Sequence, residues 1–386
     1  MSELIHTRNG KNDFHWQLLT TVSAVALLAA VYGSREARAG DQNVDQPTVW
    51  IELGGQLVHA SGQGDSFPIG FLAANPNSPV LRPVSPLQAQ RPEPFGFAEE
   101  GKITFQPESS GWNFSVGVTY GRSNSSKHIH NQTDNVFYKY LQSGLPRQPA
   151  HPDTKADFAD THAQRRESHV ILDFTAGKDV GMGMFGKESS STVGLGVRFA
   201  QLASKASFDV RARPDLEKKY ARYPAYHVTY VLPHFHTYHA TGQASRSFSG
   251  IGPSLSWKAS AAFAGNPSHG EAMLDWGVNA AILFGKQKAR VRHQESGHYY
   301  ATAVHALNSY ALTYQRSGGH TNDRSVMVPN VGGFAGASYR IENFKVSAGY
   351  RADFFFGAID GGIDARKSET LGFYGPFASV SVGLGG

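Results

Sequence analysis

The chain has 386 residues, of which 40% are hydrophobic, 12% aromatic and 17% charged, with 42 glycines and a formal net charge of +5. It contains no cysteine, which excludes disulfides, thiolate metal sites and a lipid anchor on a cysteine. The basic excess is too mild and dispersed to point to nucleic acid, and beyond the N-terminus no run reaches the about 18 apolar residues of a membrane helix.

The N-terminus reads as an export leader. Arg8 and Lys11 precede an uncharged stretch from Trp16 to Tyr32, and Ala37-Arg38-Ala39 fits a small-x-small cleavage pattern. Residues 1–39 are therefore expected to be a secretory signal peptide cut after Ala39, with a single-pass anchor as the alternative reading. Residues 40–386 are then expected to form the single mature domain. Losing the leader removes four basic residues (Arg8, Lys11, Arg35, Arg38) and three acidic ones (Glu3, Asp13, Glu36), so the charge moves from +5 to +4.

Ten segments follow in which apolar and polar residues alternate with the period of two that a strand imposes. They lie near Val49–Val58, Lys102–Gln106, Trp112–Tyr120, Val170–Ala176, Val193–Phe199, Ile251–Ala261, Leu274–Phe284, Val331–Ile341, Phe344–Phe356 and Phe373–Leu384. The connections alternate between short (near 107–111, 179–190, 264–272 and 342–343) and long (near 60–97, 123–166, 203–245, 287–325 and 357–370). The stretch Pro68 to Pro94 is too broken by proline to pair as a strand. This pattern predicts an all-β fold, a transmembrane antiparallel up-and-down β-barrel of about ten strands, with twelve or eight as alternatives. Short turns would face the periplasm and long loops the exterior. Strand-like pieces at Tyr226–Val231 and Tyr299–Val304 are either extensions beyond the membrane or an added hairpin.

Phe344–Phe356 shows the pattern most clearly, with one uncharged face and Lys345, Arg351 and Asp353 on the other. Together with Arg198 and Asp275 on the charged faces of other strands, these are the candidate lumen-lining residues. A lysine or arginine facing lipid near the midplane costs about 2–4 kcal/mol, whereas a lumen tolerates it. Such a set either lines a narrow aqueous path and sets its ion preference, or pairs and fills the interior.

Three other signals carry less. Gly181-Met-Gly-Met-Phe-Gly186 matches a dinucleotide-binding pattern, but a strand rather than a helix is expected after it, so it reads as a turn. The histidines of 227–239, above all His234 and His236 on one strand face, are weak metal candidates, as is His128-Ile-His130; the expected reading is loop histidines without a metal. Asp160 and His162 lie close in sequence, yet no nucleophile elbow or helical metalloprotease motif appears. No catalytic residues, enzyme activity or cofactor are expected.

Gly250-Ile-Gly-Pro253, Leu283-Phe-Gly285, Gly349-Tyr-Arg-Ala352 and Gly372-Phe-Tyr-Gly-Pro-Phe377 together resemble the major outer-membrane, pore-forming β-barrel family first described from Legionella and widespread in proteobacteria. The likeness is clearest over 250–384 and weaker at Val49–Gly54. It implies an outer-membrane barrel, with a pore proposed for the family, and brings no catalytic residues. One departure is the ending Val382-Gly-Leu-Gly-Gly386, where many barrel proteins carry a terminal aromatic. The expected function is a small pore or a structural surface protein of a Gram-negative outer membrane. The alternative is an adhesin or a ligand- or metal-binding receptor acting through the loops, and an outer-membrane enzyme ranks third. Expected partners are outer-membrane lipid and lipopolysaccharide, the barrel-assembly machinery, and small solutes or ions.

Overall fold

A computed structural model of the chain describes residues 49–62, 95–107, 111–133, 157–180, 189–213, 220–223, 228–231, 237–266, 269–302 and 309–384. The expected leader lies outside them, as do Pro68–Pro94, Gly181–Gly186, His234 and His236. Twelve strands are described: β1 (Val49–Ser61), β2 (Phe95–Phe105), β3 (Trp112–Thr133), β4 (Asp157–Asp179), β5 (Ser189–Arg213), β6 (Tyr220–Tyr223), β7 (Val228–Val231), β8 (Thr237–Asn266), β9 (Gly270–Thr302), β10 (Ser309–Ile341), β11 (Phe344–Asp360) and β12 (Ser368–Leu384). Ten of them close into a ring in the order β1-β12-β11-β10-β9-β8-β5-β4-β3-β2. The pairings are antiparallel, and the seam runs from Val49↔Leu384 to Ser61↔Gly372. The hairpin β6–β7 forms a separate two-stranded sheet, so Val228–Val231, the described part of the first strand-like piece, adds no strand to the ring.

At the end of the ring that carries the short turns, the sides divide as the alternation predicts. Leu172, Phe199, Ile251, Phe284 and Met327 form one outward row across β4, β5, β8, β9 and β10. Closer to the turns, Leu195 is 66% exposed and Val278 56%, although both are strongly apolar. Their neighbours in sequence point into the ring. The turns themselves are tight: Gly265 and Gly270 adopt φ of 91° and 110° around the β8–β9 connection, where side chains are disfavoured.

Away from the turns the division inverts. Along β9, Lys286, Lys288, Arg290 and Arg292 are exposed outward while Gln287, Ala289, Val291 and His293 are buried inward. Three outward positions beyond Leu172–Phe284, the row becomes Arg166, Lys205, Ser245 and Arg290. This corrects the bounds of the expected long loops. Residues 123–133, 157–166, 203–213, 237–245, 287–302 and 309–325 are strand. They continue the ladders of β3, β4, β5, β8, β9 and β10 beyond the apolar belt. The period of two persists there, but the outer face is polar, so the segments lose the apolar face that marked the others. From Lys286 onward, β9 rises a further ~55 Å of strand contour at about 3.3 Å per residue. The same correction extends β2 back to Phe95, well before the expected start at Lys102.

Where the two regimes meet, the interior is packed with apolar side chains. Leu202, Phe248, Leu283, Val328, Phe355, Leu371 and Phe373 belong to one buried cluster, and nine of the ten ring strands contribute to it. Close backbone approach is needed beside it. At Gly252, a Cβ would lie 1.8 Å from the Ile282 carbonyl oxygen, and the next residue, Pro253, has no N–H to give the β8–β9 ladder. Gly252→Ala should therefore cost about 1–3 kcal/mol through displaced backbone, read as a lower urea midpoint of the detergent-solubilised protein. An unchanged midpoint would mean that β9 yields without strain.

Candidate functional site

The five predicted lumen residues all point into the ring, and each has a partner there. Lys345 Nζ lies 2.8 Å from Asp275 Oδ2. Arg351 donates to Glu100, and its guanidinium lies 5.0 Å from the centre of the Phe377 ring. Arg198 grips Asp173 with two hydrogen bonds, Nε to Oδ1 at 2.7 Å and Nη2 to Oδ2 at 2.9 Å. Its remaining nitrogen donates to Asn279 at 2.7 Å and to Asn330, with Asp353 at 3.7 Å. One arginine thus ties together β4, β5, β9, β10 and β11. With only 8% of its side chain exposed, this is a buried network rather than a surface pair.

The sequence reading missed half of the set. Glu52 receives Lys102 Nζ at 3.2 Å and the Ser379 hydroxyl at 3.0 Å. Five carboxylates (Glu52, Glu100, Asp173, Asp275, Asp353) and five cations (Lys102, Arg198, Lys258, Lys345, Arg351) line the two cavities of this level, so their formal charges cancel. Glu100 lies before the expected start of the second strand, and Lys102 stands at its first position, where five residues show too little alternation to assign a face. Asp173 and Lys258 lie on the inward faces of segments already read as strands, where a simple parity count finds them.

The apolar cluster closes this charged chamber on the side away from the turns. Phe355 and Phe373 meet at 6.2 Å between ring centres, and His169 packs on Phe373 at 3.9 Å. Above it the connection between β11 and β12, expected to be an outward loop at 357–370, instead folds into the ring. Gly357 takes a φ of 69°, and the β11–β12 register shifts between Phe355 and Ile359, which turns the chain inward. Gln287 Nε2 then donates to the carbonyls of Gly357 at 3.0 Å and Ala358 at 2.9 Å. The Asp360 carboxylate, wholly buried, accepts from Asn322 Nδ2 at 2.8 Å and from the backbone N–H groups of Gly362 and Lys367 at 3.1 and 3.0 Å, and contacts His320 Nε2 at 2.9 Å. His293 Nε2 meets Asp364 at 2.6 Å. Loop composition hid this strap: its charged residues look solvated until their partners on β9 and β10 are known.

The tempting histidines fall elsewhere. His128 and His130 lie on β3, facing Asp160 and His162 of β4 on the outside of the ring, and this is the histidine–carboxylate group with metal-ligand spacing among the described residues. The weak candidates His234 and His236 lie outside the described residues.

Arg198 makes the sharpest test of the interior. Arg198→Ala strands Asp173 and Asp353 without their cation, and removing one partner of a buried ion pair costs about 3–5 kcal/mol. Equilibrium unfolding in detergent should show that loss. Lys345→Ala combined with Asp275→Ala should lose less than Lys345→Ala alone, because no lone charge is left behind.

No family model matches the chain, and no curated protein matches it. Among solved structures it aligns with the transport unit of the autotransporter AIDA-I from Escherichia coli, over 89% of this chain and 93% of that one, at 8% identity and a TM-score of 0.25. It also aligns with a mutant of the TodX monoaromatic hydrocarbon channel, over 88% and 91%, at 8% identity and a TM-score of 0.19. At such scores neither likeness carries an argument. The conclusion that stands is drawn from the strands themselves: an all-β chain whose ten antiparallel strands close into a barrel.

Proposed function

We propose that this protein is an integral outer-membrane β-barrel with a closed lumen, serving as a structural surface protein whose conduction requires the inward strap to leave. The observation that carries this reading is the apolar layer of Phe248, Leu283, Phe355 and Phe373, continuous across the ring and buried to 4% exposure or less. Water and ions cross such a layer only if it separates.

The membrane assignment is supported by the outward belt. Large apolar side chains such as Leu195, Val278 and Phe284 cover the outer face at the level where five carboxylates sit inside. Outward cations begin just beyond the belt, at Lys286 and Lys288, where headgroup phosphates of an outer leaflet would lie. The glycine-rich motifs of the sequence sit at structural points: Gly252-Pro253 interrupts a ladder, and a Cβ at Gly375 would meet the Leu57 carbonyl oxygen at 1.8 Å. In this reading the mature chain follows a cleaved leader and is inserted by the barrel-assembly machinery.

The chain's lack of cysteine allows a direct test. Gln294→Cys, on the outer face beyond the belt, should react with a membrane-impermeant maleimide on intact cells. His269→Cys, in the β8–β9 turn, should react only after the outer membrane is opened. Equal labelling of both in intact cells, or recovery of the folded chain in the aqueous fraction, would remove the membrane assignment.

Occlusion is tested separately in planar bilayers. The wild type should show rare or no channel steps, and Asp360→Asn, which weakens the strap's anchor, should raise their frequency at least several-fold. Burial pushes the Asp360 carboxyl up, but the hydrogen bonds from Lys367, His320, Asn322 and Gly362 outweigh it and hold it below the usual carboxylate range. A depressed folded value means that the anchoring is complete above the unfolded value of about 3.9 and is lost as pH falls through the lower folded one. Acid should therefore open the wild type only below about pH 4. Steady large conductance of the wild type at neutral pH would overturn the closed lumen.

A further inference from the structure

We propose that the outer face of β3 and β4, beyond the apolar belt, is a binding site for a divalent metal ion held by His128, His162 and Asp160, with His130 at its edge. The argument begins with register. His128 and His162 are direct cross-strand partners, and Asp160 pairs with His130 one outward position further along. All four occupy outward positions of their strands, so the ladder itself gathers residues thirty or more positions apart into one patch.

The local geometry suits a metal. The two imidazoles stack with centres 3.9 Å apart and planes 9° from parallel. The Asp160 carboxylate lies against both: Oδ1 contacts His128 Nε2, and Oδ2 is 3.8 Å from His162 Nε2. His130 Nδ1 stands 3.7 Å from Oδ1. One ligand atom from each of His128, Asp160 and His162 lies within 4.8 Å of the others. Bonds of about 2.0–2.2 Å to a tetrahedral ion would bring such atoms to roughly 3.3 Å from one another. Side chains that are half-exposed, at 53% and 56% for the two rings, cover that difference by small rotations without moving the strands.

The donor set decides the class of ion. Imidazole nitrogens with one carboxylate, and no thiolate anywhere in the chain, select borderline ions such as zinc, copper or nickel over calcium or magnesium, which prefer oxygen. A second carboxylate stands beside the patch. Asp209 of β5 pairs with His162 in register and is held by Arg211 Nε at 3.3 Å, with His239 Nε2 at 3.5 Å. A water or an external ligand would complete the coordination on the exposed side. This site does not depend on whether the lumen conducts.

The test is calorimetric titration of zinc chloride into the full chain, purified in detergent and stripped with a chelator. The expected result is one zinc per barrel, with affinity reduced at least tenfold in His128→Ala/His162→Ala and, independently, in Asp160→Asn. His234→Ala/His236→Ala should retain that zinc. The proposal is overturned if the wild type takes up none, if the His128/His162 variant binds with unchanged affinity and stoichiometry, or if only the His234/His236 variant loses it. Unchanged far-ultraviolet dichroism and heat mobility keep loss of binding distinct from loss of fold.

Discussion

Closure of the sheet is the constraint on which everything else rests. Pairing of β1 with β12, from Val49↔Leu384 to Ser61↔Gly372, leaves the ring without a free edge. Once closed, each strand has an inside and an outside that cannot be exchanged, because successive side chains point to opposite faces. The interior of a ten-stranded ring is narrow, so whatever points inward must find a partner or a packed neighbour. Paired charges, a stacked apolar layer and an inserted strap are three answers to that demand, met in order along the axis.

The change of answer along the axis accounts for the outer face too. Beside the charged chamber the outer face is apolar, and beside the inward Ala289 and Val291 it carries Arg290 and Arg292. A strand such as β9 therefore uses one period of two with opposite polarity in its two parts. The outer face changes from apolar to cationic between Phe284 and Lys286, while the ladder to β10 runs through that point unbroken.

That inversion explains what could be read from sequence. The segments around the belt were legible because their outward positions lack charge and their inward ones do not, as in Phe344–Phe356. The count of ten ring strands followed from them. Their extensions were not legible in the same way, since Lys286-Gln-Lys-Ala-Arg-Val-Arg292 reads as a polar loop unless its alternation is taken with the opposite sign. Parity alone would have found Asp173 and Lys258, once their strands were known. The Asp360 anchor and the His128–His162 pair needed more, because only register brings residues that far apart in sequence together.

The interior ion pairs call for an explanation other than stability. Taking such charges from water costs several kcal/mol per ion, and a well-packed apolar filling of the same volume is often as stable or more so. An apolar interior behind an apolar exterior would, however, make both faces of each strand alike. A one-residue slip would then cost almost nothing, and ten strands would have many near-equivalent registers. With Glu52, Asp173, Asp275, Arg198 and Arg351 inside, a slip of one residue drives a charge onto the apolar outer face and strands its partner within. The penalty falls on both residues of the pair at once. The charged chamber is thus best understood as the feature that makes one register of the closed sheet far lower in free energy than its neighbours.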